Sequence, residues 1–388
     1  MSSVPRFEHL DTLLVHAGEP RPPLGGAVIL PVFQSATFAY PVPGEDAALR
    51  YIRLNNTPNH QVLHAKLAAL EKAEAALVTA SGMAAIAAAL LAVLETGDRM
   101  MVQEGLYGGT HGLVHHDLKR LGISADEVSA DDPDDWRRRL QPTTRAFYVE
   151  TITNPTMRVA DLEAVAAFCR AHGLVSIIDN TFASPVNFRP LEHGFDLSLH
   201  SATKYLNGHS DIVAGAVMGR ADLVDRVKQR LDHLGASLDP HACFLLQRGL
   251  KTLGLRVRQQ NRGAEAVARF LSRHPAVARV NYPGLESHPD HRRARRLLDG
   301  YGGMLSFEID GGVAAAEAFL ARLHLPVVAP SLGGVDSLVT RPAATSHAGM
   351  TPAARRAMGV SDGLVRLSVG IEAPEDLIAD LDQALAGG

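Results

Sequence analysis

The stretch that decides the fold is Asp196-Leu-Ser-Leu-His-Ser-Ala-Thr-Lys-Tyr-Leu-Asn-Gly-His-Ser-Asp211. A short apolar run ends there in two hydroxyl residues, Ser201 and Thr203, and Lys204 follows directly. Hydroxyl groups bind phosphate oxygens with little bulk, and a lysine on a short loop can form a Schiff base with a carbonyl cofactor. Taken alone, the stretch is equally compatible with an ordinary solvated lysine.

A second stretch, Leu174-Val-Ser-Ile-Ile-Asp179, is typical of a buried parallel strand that ends in a carboxylate. Sheets of α/β proteins bind their ligands at this edge. An aspartate there can pair with a protonated pyridine nitrogen, which makes the ring a better electron sink. A helix cap or turn aspartate is the structural alternative. Together, the lysine, the hydroxyl pair and Asp179 predict a site for pyridoxal 5′-phosphate (PLP).

Four segments carry a resemblance to a known family. They are His200–Asp211, Ile178–Phe182, Arg248–Leu253 and Leu364–Glu372. From about Thr12 to Leu385 the chain resembles the Cys/Met-metabolism (trans-sulfuration) PLP enzymes, which include cystathionine γ-synthase, cystathionine γ- and β-lyases, methionine γ-lyase and homoserine-ester sulfhydrylases. The resemblance implies fold type I, the aspartate aminotransferase-like α/β fold of PLP-dependent transferases. This fold has a large domain with a mainly parallel sheet and a smaller C-terminal α/β domain.

The bulk composition is that of an ordinary globular protein. The 388 residues are 46% apolar and 21% charged, with a net charge of −4, so neither nucleic acid nor a membrane is an expected partner. Cys169 and Cys243 lie in helical patterns and are expected to be buried free thiols, with no zinc motif and no other metal site. Without a signal peptide or a membrane-spanning run, we expect a cytoplasmic protein.

Changes of pattern along the chain predict three regions. Residues 1–57 contain many prolines and little regular pattern, which indicates an extended N-terminal arm. Residues 58–249 alternate apolar strands with helices, as expected for a PLP-binding domain. Residues 250–388 form the C-terminal domain. In the family the arm contacts a neighbouring subunit, which implies a homotetramer built from two dimers with shared active sites.

The resemblance also implies roles for residues around the cofactor ring. Lys204 carries PLP and, once released, acts as the base that removes the substrate's α-proton. Asp179 keeps the ring nitrogen protonated, and Tyr107 stacks on the ring and takes part in proton transfer. Asn154 donates a hydrogen bond to the phenolic oxygen of the cofactor. Apart from the family, Tyr107 is also compatible with a packed loop tyrosine.

Phosphate and substrate contacts complete the implied site. The phosphate is bound by Gly82, Met83, Ser201, Thr203 and, from a neighbouring chain, Tyr51 and Arg53. Ser81-Gly82-Met83 follows a strand and opens a helix, which is a suitable anion site. Arg366 binds the α-carboxylate of the amino acid substrate, with Asn154 and Ser331 close by. From its own strand pattern, Arg366 is equally compatible with a solvent-facing position.

The sequence identifies the reaction less closely than it identifies the cofactor. Gly112 stands where enzymes for a distal carboxylate often have arginine, and Gly109 stands where methionine γ-lyases commonly have cysteine. These differences favour a C–S lyase that cleaves cystathionine by γ- or β-elimination. The alternative is a cystathionine γ-synthase or a sulfhydrylase acting by γ-replacement on an O-acyl-homoserine. A PLP transaminase and a non-catalytic PLP-fold protein remain as remoter alternatives.

Overall fold

The computed structural model describes residues 7–40 and 49–386, so part of the predicted N-terminal arm lies outside the described residues. The strands within these ranges are β1 Ala75–Thr79, β2 Arg99–Gln103, β3 Ser124–Val128, β4 Thr144–Glu150, β5 Val175–Asp179, β6 Leu197–His200, β7 Gly215–Gly219, β8 Val277–Asn281, β9 Met304–Ile309, β10 Val327–Val328, β11 Leu338–Thr340 and β12 Leu364–Ser368. The α-helices are α1 Leu10–His16, α2 Pro58–Glu71, α3 Gly82–Val93, α4 Gly108–Gly112, α5 Pro133–Arg139, α6 Leu162–His172, α7 Ser184–Asn187, α8 Ala221–Leu234, α9 Pro240–Leu250, α10 Leu253–Leu271, α11 His291–Leu297, α12 Gly312–Arg322, α13 Pro352–Ala357 and α14 Pro374–Ala386.

The larger sheet has the strand order β1-β7-β6-β5-β4-β2-β3. Its strands are parallel except β7, which is antiparallel to both β1 and β6. Strands β4, β5 and β6 are buried along most of their length, as parallel strands are when helices cover both faces. This arrangement confirms the predicted mainly parallel sheet and brings the carboxyl ends of β4, β5 and β6 to one edge.

Helices cover the two faces of this sheet with separate apolar cores. The alanine-rich α3 packs with α8 on one face, while α2, α6 and α9 pack on the other. The sequence predicts a helix from Asp161 to His172 with Asp161 near its cap. The structure confirms this cap, since Asp161 accepts a hydrogen bond from Ala164 N, and left-handed Gly173 ends the helix. Both cysteines are buried and free, as expected.

A second, five-stranded sheet has the order β10-β11-β12-β9-β8. Strand β12 lies between β11 and β9 and is buried throughout. Helices α10, α12 and α14 supply most of the apolar cover on this sheet. The sheet fits the predicted C-terminal unit, while the boundaries at residues 57 and 249 remain predictions.

Three sequence-based expectations are wrong in detail. The arm contains a helix, α1, and β3 was not expected at all. The apolar run Ile212–Met218 predicts a strand, but β7 begins only at Gly215, because the preceding residues belong to the loop after Lys204. Within the residues that the structure describes, no helix is long and apolar enough to cross a membrane.

Candidate active site

The loop that carries Lys204 connects β6 to β7. Thr203 closes it, because its backbone N–H and its hydroxyl both donate to Ala214 O at 3.1 Å, and Ala214 N donates to Thr203 Oγ1 at 3.0 Å. Lys204 Nζ donates to Ser331 Oγ at 2.7 Å. Burial, followed by the nearby Arg366 charge, lowers the pKa of Lys204 to about 8. The uncharged amine, which attacks carbonyls, is therefore accessible near neutral pH.

A cavity of about 630 Å³ opens beside Lys204, between the two sheets. Ten of the residues singled out from the sequence line it together. They are Gly82, Met83, Tyr107, Asn154, Asp179, Ser201, Thr203, Lys204, Ser331 and Arg366. Segments far apart in sequence thus contribute to one site.

Asp179 lies at the carboxyl end of β5, at the floor of the cavity. Its carboxylate accepts hydrogen bonds from the backbone N–H of Thr181 at 3.0 Å, from the Thr181 hydroxyl, and from Tyr148 Oη at 3.4 Å. Burial raises the pKa of Asp179, and the Thr181 hydrogen bonds oppose this shift. A cationic ring nitrogen bound here would keep the carboxylate ionised.

Glu150 is a cavity residue that the sequence analysis missed. It lies opposite Asp179 in the β4–β5 register and accepts a hydrogen bond from Tyr107 N at 2.6 Å. Burial, and then the Asp179 charge, raise the pKa of Glu150 to about 8. The available signal was its place at a strand end, beside a second strand that also ends in a carboxylate. This hydrogen bond fixes the backbone of Tyr107, the N-cap residue of α4.

The amino end of α3 forms the opposite end of the cavity. Ser81 caps the helix by accepting from Ala84 N at 3.1 Å, so the earlier amides of Gly82 and Met83 remain available to an anion. A side chain at position 82 would meet Ser201 Cβ at 2.8 Å. Only glycine therefore lets the helix end approach the Ser201 hydroxyl this closely.

Arg366, on β12, reaches into the cavity from the smaller sheet. Its guanidinium donates to Asn154 Oδ1 and to Ser331 O, both at 3.0 Å, and it is 5% exposed. Its buried Nε has no hydrogen-bond partner among the described residues. Burial lowers the pKa of Arg366 to about 10. A buried cation with an unused donor is suited to an amino acid carboxylate.

Tyr51 and Arg53 do not line the cavity of their own chain. Arg53 donates to the carbonyl of Asp232 and lies 5.7 Å from the centroid of the Tyr51 ring. Tyr51 is partly exposed. The structure therefore places this pair apart from the other ten residues.

The residues present fit PLP. Lys204 supplies an amine of lowered pKa, Asp179 supplies a carboxylate for the ring nitrogen, and the glycine at position 82 leaves the end of α3 open for a phosphate. The Tyr107 ring stands at the same cavity, packed over Gly109. These features are the donor set that a phosphorylated pyridine aldehyde requires.

Comparison with known proteins gives a family for the whole chain. Residues 11–386 match the family described as Cys/Met metabolism PLP-dependent enzyme. The chain is 42% identical to L-methionine gamma-lyase of Pseudomonas putida over 384 residues, covering 96% of each chain. It is 40% identical to cystathionine gamma-lyase of Bacillus subtilis, covering 96% of this chain and 98% of the relative.

A solved structure agrees with this similarity. Cystathionine gamma synthase of Xanthomonas oryzae pv. oryzae, crystallised with aminoacrylate and cysteine, superposes with a TM-score of 0.94 at 40% identity. The match covers 97% of this chain and 98% of that one. With the lysine, aspartate and helix end gathered at one cavity, these similarities show that the chain belongs to the PLP-dependent enzymes of Cys/Met metabolism.

Proposed function

We propose that this enzyme is a C–S lyase that eliminates the sulfur substituent of a cystathionine-type amino acid. One observation carries the proposal: Lys204 Nζ contacts Ser331 Oγ while Arg366 contacts Ser331 O. Lys204, the proposed base, and Arg366, the proposed carboxylate anchor, therefore both contact the same residue. A substrate whose carboxylate binds Arg366 has its α-carbon within reach of Lys204.

The residues of the chain would then work in order. PLP, when bound through Lys204, supplies the electron sink that makes the α-proton acidic. Arg366 would hold the carboxylate, and Lys204 Nζ, once released from the cofactor, would take the α-proton and return it to another carbon of the substrate. Asp179 holds a proton on the ring nitrogen. The C–S bond breaks with its electron pair on sulfur, and one water is consumed as ammonia and a 2-oxo acid are released.

The distal part of the cavity favours a substrate without a net distal charge. Lys204 and Arg366 are the only cations among the described residues that line it. The lining residues Val213, Pro330, Leu332, Thr345 and Ser346 are uncharged. A succinyl-homoserine carboxylate would lack a cationic partner there. The distal half of cystathionine carries both an ammonium and a carboxylate, so its net charge is zero.

Product analysis of the PLP-loaded enzyme with L-cystathionine tests the proposal. Cysteine with 2-oxobutanoate would show γ-elimination, and homocysteine with pyruvate would show β-elimination. L-Methionine is assayed in parallel, because a relative named L-methionine gamma-lyase is as similar as one named cystathionine gamma-lyase. Lys204→Ala is the control for nonenzymatic cleavage.

Other outcomes would replace the proposal. Product formation only from a homoserine ester with cysteine or sulfide would indicate γ-replacement. Amino transfer to a 2-oxo acid without thiol release would indicate a transaminase. Loss of PLP colour on gel filtration, together with no turnover, would indicate a non-catalytic protein.

We further propose that Tyr51 and Arg53 complete the cavity of a second subunit, in a homotetramer of two dimers. This would explain why both lie outside their own cavity. Co-expression of Arg53→Ala and Lys204→Ala chains tests it, because a hybrid dimer would contain one site with both residues intact. Regained activity in the hybrid supports a shared site, whereas activity no greater than that of the separate variants contradicts it. Arg50→Ala serves as a matched control.

We also propose that the enzyme acts in the cytoplasm. Its two cysteines are buried and free, as expected where thiols stay reduced. Fractionation of cells that express the full chain, with immunodetection, would test this location. Recovery mainly outside the cytoplasmic fraction would contradict it.

A further inference from the structure

Two histidines and a glutamate converge outside the active-site cavity. His111 lies in α4, and His115 lies four residues later in the π-helical turn Leu113–Leu118. Side chains at this spacing share one helix face, and the two imidazole rings have centroids 4.4 Å apart. Glu127 reaches the same point from β3, at the edge of the larger sheet.

The distances between these groups suit a metal ion. Glu127 Oε1 lies 3.6 Å from His111 Nε2 and 2.8 Å from His115 Nε2. One ligand atom from each residue lies within 4.8 Å of the other two. Ligand atoms around a tetrahedral zinc ion stand about 3.4 Å apart. Side-chain shifts of roughly 1 Å would therefore bring all three atoms to bonding distance of one ion.

His115 Nε2 adds a further observation on the same set. This nitrogen is buried, and it has no hydrogen-bond partner among the described residues. Glu127 Oε1 is near enough for an ion pair but does not meet the geometry of a hydrogen bond with it. The ion pair therefore leaves His115 Nε2 without a well-aligned hydrogen bond. A metal ion held between the imidazole and the carboxylate would satisfy both.

The set is also open on one side. His111 and Glu127 line a second cavity of about 510 Å³, together with Asp131 and Arg158. This cavity is separate from the one beside Lys204. His111 and Glu127 are partly exposed, so an ion can enter from solvent. The cavity leaves room for water as a fourth ligand.

We propose that His111, His115 and Glu127 bind one divalent transition-metal ion. Two imidazoles and one carboxylate with an open position form a known zinc donor set, which also suits cobalt and nickel. The ion would join α4 to β3. Because Tyr107 is the N-cap residue of α4, the ion would fix the helix that directly follows this active-site tyrosine. The sequence alone does not reveal the set, because Glu127 comes from a different element.

Metal titration of the PLP-loaded enzyme, with any affinity tag removed, tests the site. Equilibrium dialysis with Zn²⁺ should give one ion per chain with a dissociation constant of about 10 μM or lower. Co²⁺ should give visible d–d absorption of a four- or five-coordinate site. Zn²⁺ should also raise the thermal midpoint. His115→Gln and Glu127→Gln should weaken binding by roughly tenfold or more.

His116→Gln is the matched control, because His116 is an exposed neighbour outside the set. It should bind Zn²⁺ as the wild type does. Binding that is absent in the wild type, or that is equal in Glu127→Gln and the wild type, would overturn the proposal. Glutamine keeps the shape of the glutamate side chain at position 127. The PLP absorbance and the thermal midpoint, both measured without metal, verify that each variant is folded.

Discussion

Replacing Arg366 by lysine tests the carboxylate anchor most directly. Arg366 donates to Asn154 Oδ1 and Ser331 O and keeps one buried donor, Nε, without a partner among the described residues. Lysine retains the positive charge but cannot make two parallel hydrogen bonds to a carboxylate. The variant therefore separates the geometry of the anchor from its charge.

The expected loss follows from the hydrogen bonds removed. A hydrogen bond to a charged group contributes about 1.5–3 kcal/mol. Losing one such bond to the substrate carboxylate should lower kcat/KM by about 10- to 150-fold, since about 1.4 kcal/mol corresponds to a factor of ten. The assay follows release of the 2-oxo acid and of the thiol from L-cystathionine, over a range of substrate concentrations.

Arg256→Lys provides a matched control. Arg256 is buried and donates to the carbonyls of Tyr205 and Gly249, each at 2.8 Å, but it does not line the active-site cavity. It should lower the thermal midpoint and leave KM unchanged. PLP absorbance should be retained in both variants. A kcat/KM for Arg366→Lys within about twofold of wild type would refute the assignment of the anchor.

Three further predictions concern the cofactor, the Tyr107 ring and the buried carboxylate. The rate of PLP attachment to the apoenzyme, measured by stopped-flow absorbance, should rise with pH around a midpoint of about 8. Arg366→Met should move that midpoint upward because a positive charge near Lys204 is lost, and an unchanged midpoint would contradict the effect of the Arg366 charge. Gly109→Ala should lower kcat by about tenfold or more through overpacking, because its Cβ would lie 2.6 Å from Tyr107 Cε1. The control Gly112→Ala meets nothing within 4 Å and should leave kcat unchanged, and equal effects of the two substitutions would exclude overpacking against Tyr107. The pKa of Glu150 in the folded protein lies above its ordinary value of 4.5, so the unfolding free energy of the wild-type apoprotein should fall as pH rises from 4.5 to about 8. Glu150→Gln should remove this pH dependence, which is worth at most about 3–5 kcal/mol, and its persistence in urea unfolding at several pH values would contradict the assignment.

Buried apolar strands and capped helices were predictable from the sequence. The sequence predicts strands over residues 144–150 and 304–309, and β4 and β9 have these bounds. Both strands are buried runs with polar residues at their boundaries. Asp161 marks the start of α6 for the reason that the sequence suggests. Family membership and the fold class are confirmed as well.

The elements that were missed lack those signals. Strand β3 reads Ser-Ala-Asp-Glu-Val and lies at the edge of the sheet, largely outside the core, so neither alternation nor an apolar run marks it. Helix α1 is short, and its N-cap residue, His9, makes no side-chain capping hydrogen bond. Both elements are held by tertiary packing, which local sequence does not report.

The residues of the candidate site likewise divide into those that the sequence could predict and those that depend on tertiary packing. Asp179 ends β5 and Lys204 follows β6, so the shared direction of these parallel strands places the two residues at one edge of the sheet. The burial of Arg366 depends on how the smaller sheet packs against the larger one, and the pattern of β12 left its direction undecided. The contact of Glu150 with Tyr107 requires β4 to pair with β2, and this pairing was not available from the sequence.

The division of the cavity between two sheets has a consequence for how such an enzyme diversifies. The cavity residues predicted to hold the cofactor belong to the larger sheet and its loops, whereas Arg366, Thr345 and Ser346 come from the smaller sheet and its loops. Substitutions at Thr345 and Ser346 can reshape the room for the substrate side chain while Lys204 and α3 stay in place. A duplicated gene could therefore acquire a new amino acid preference in a few steps, with every intermediate still carrying its cofactor.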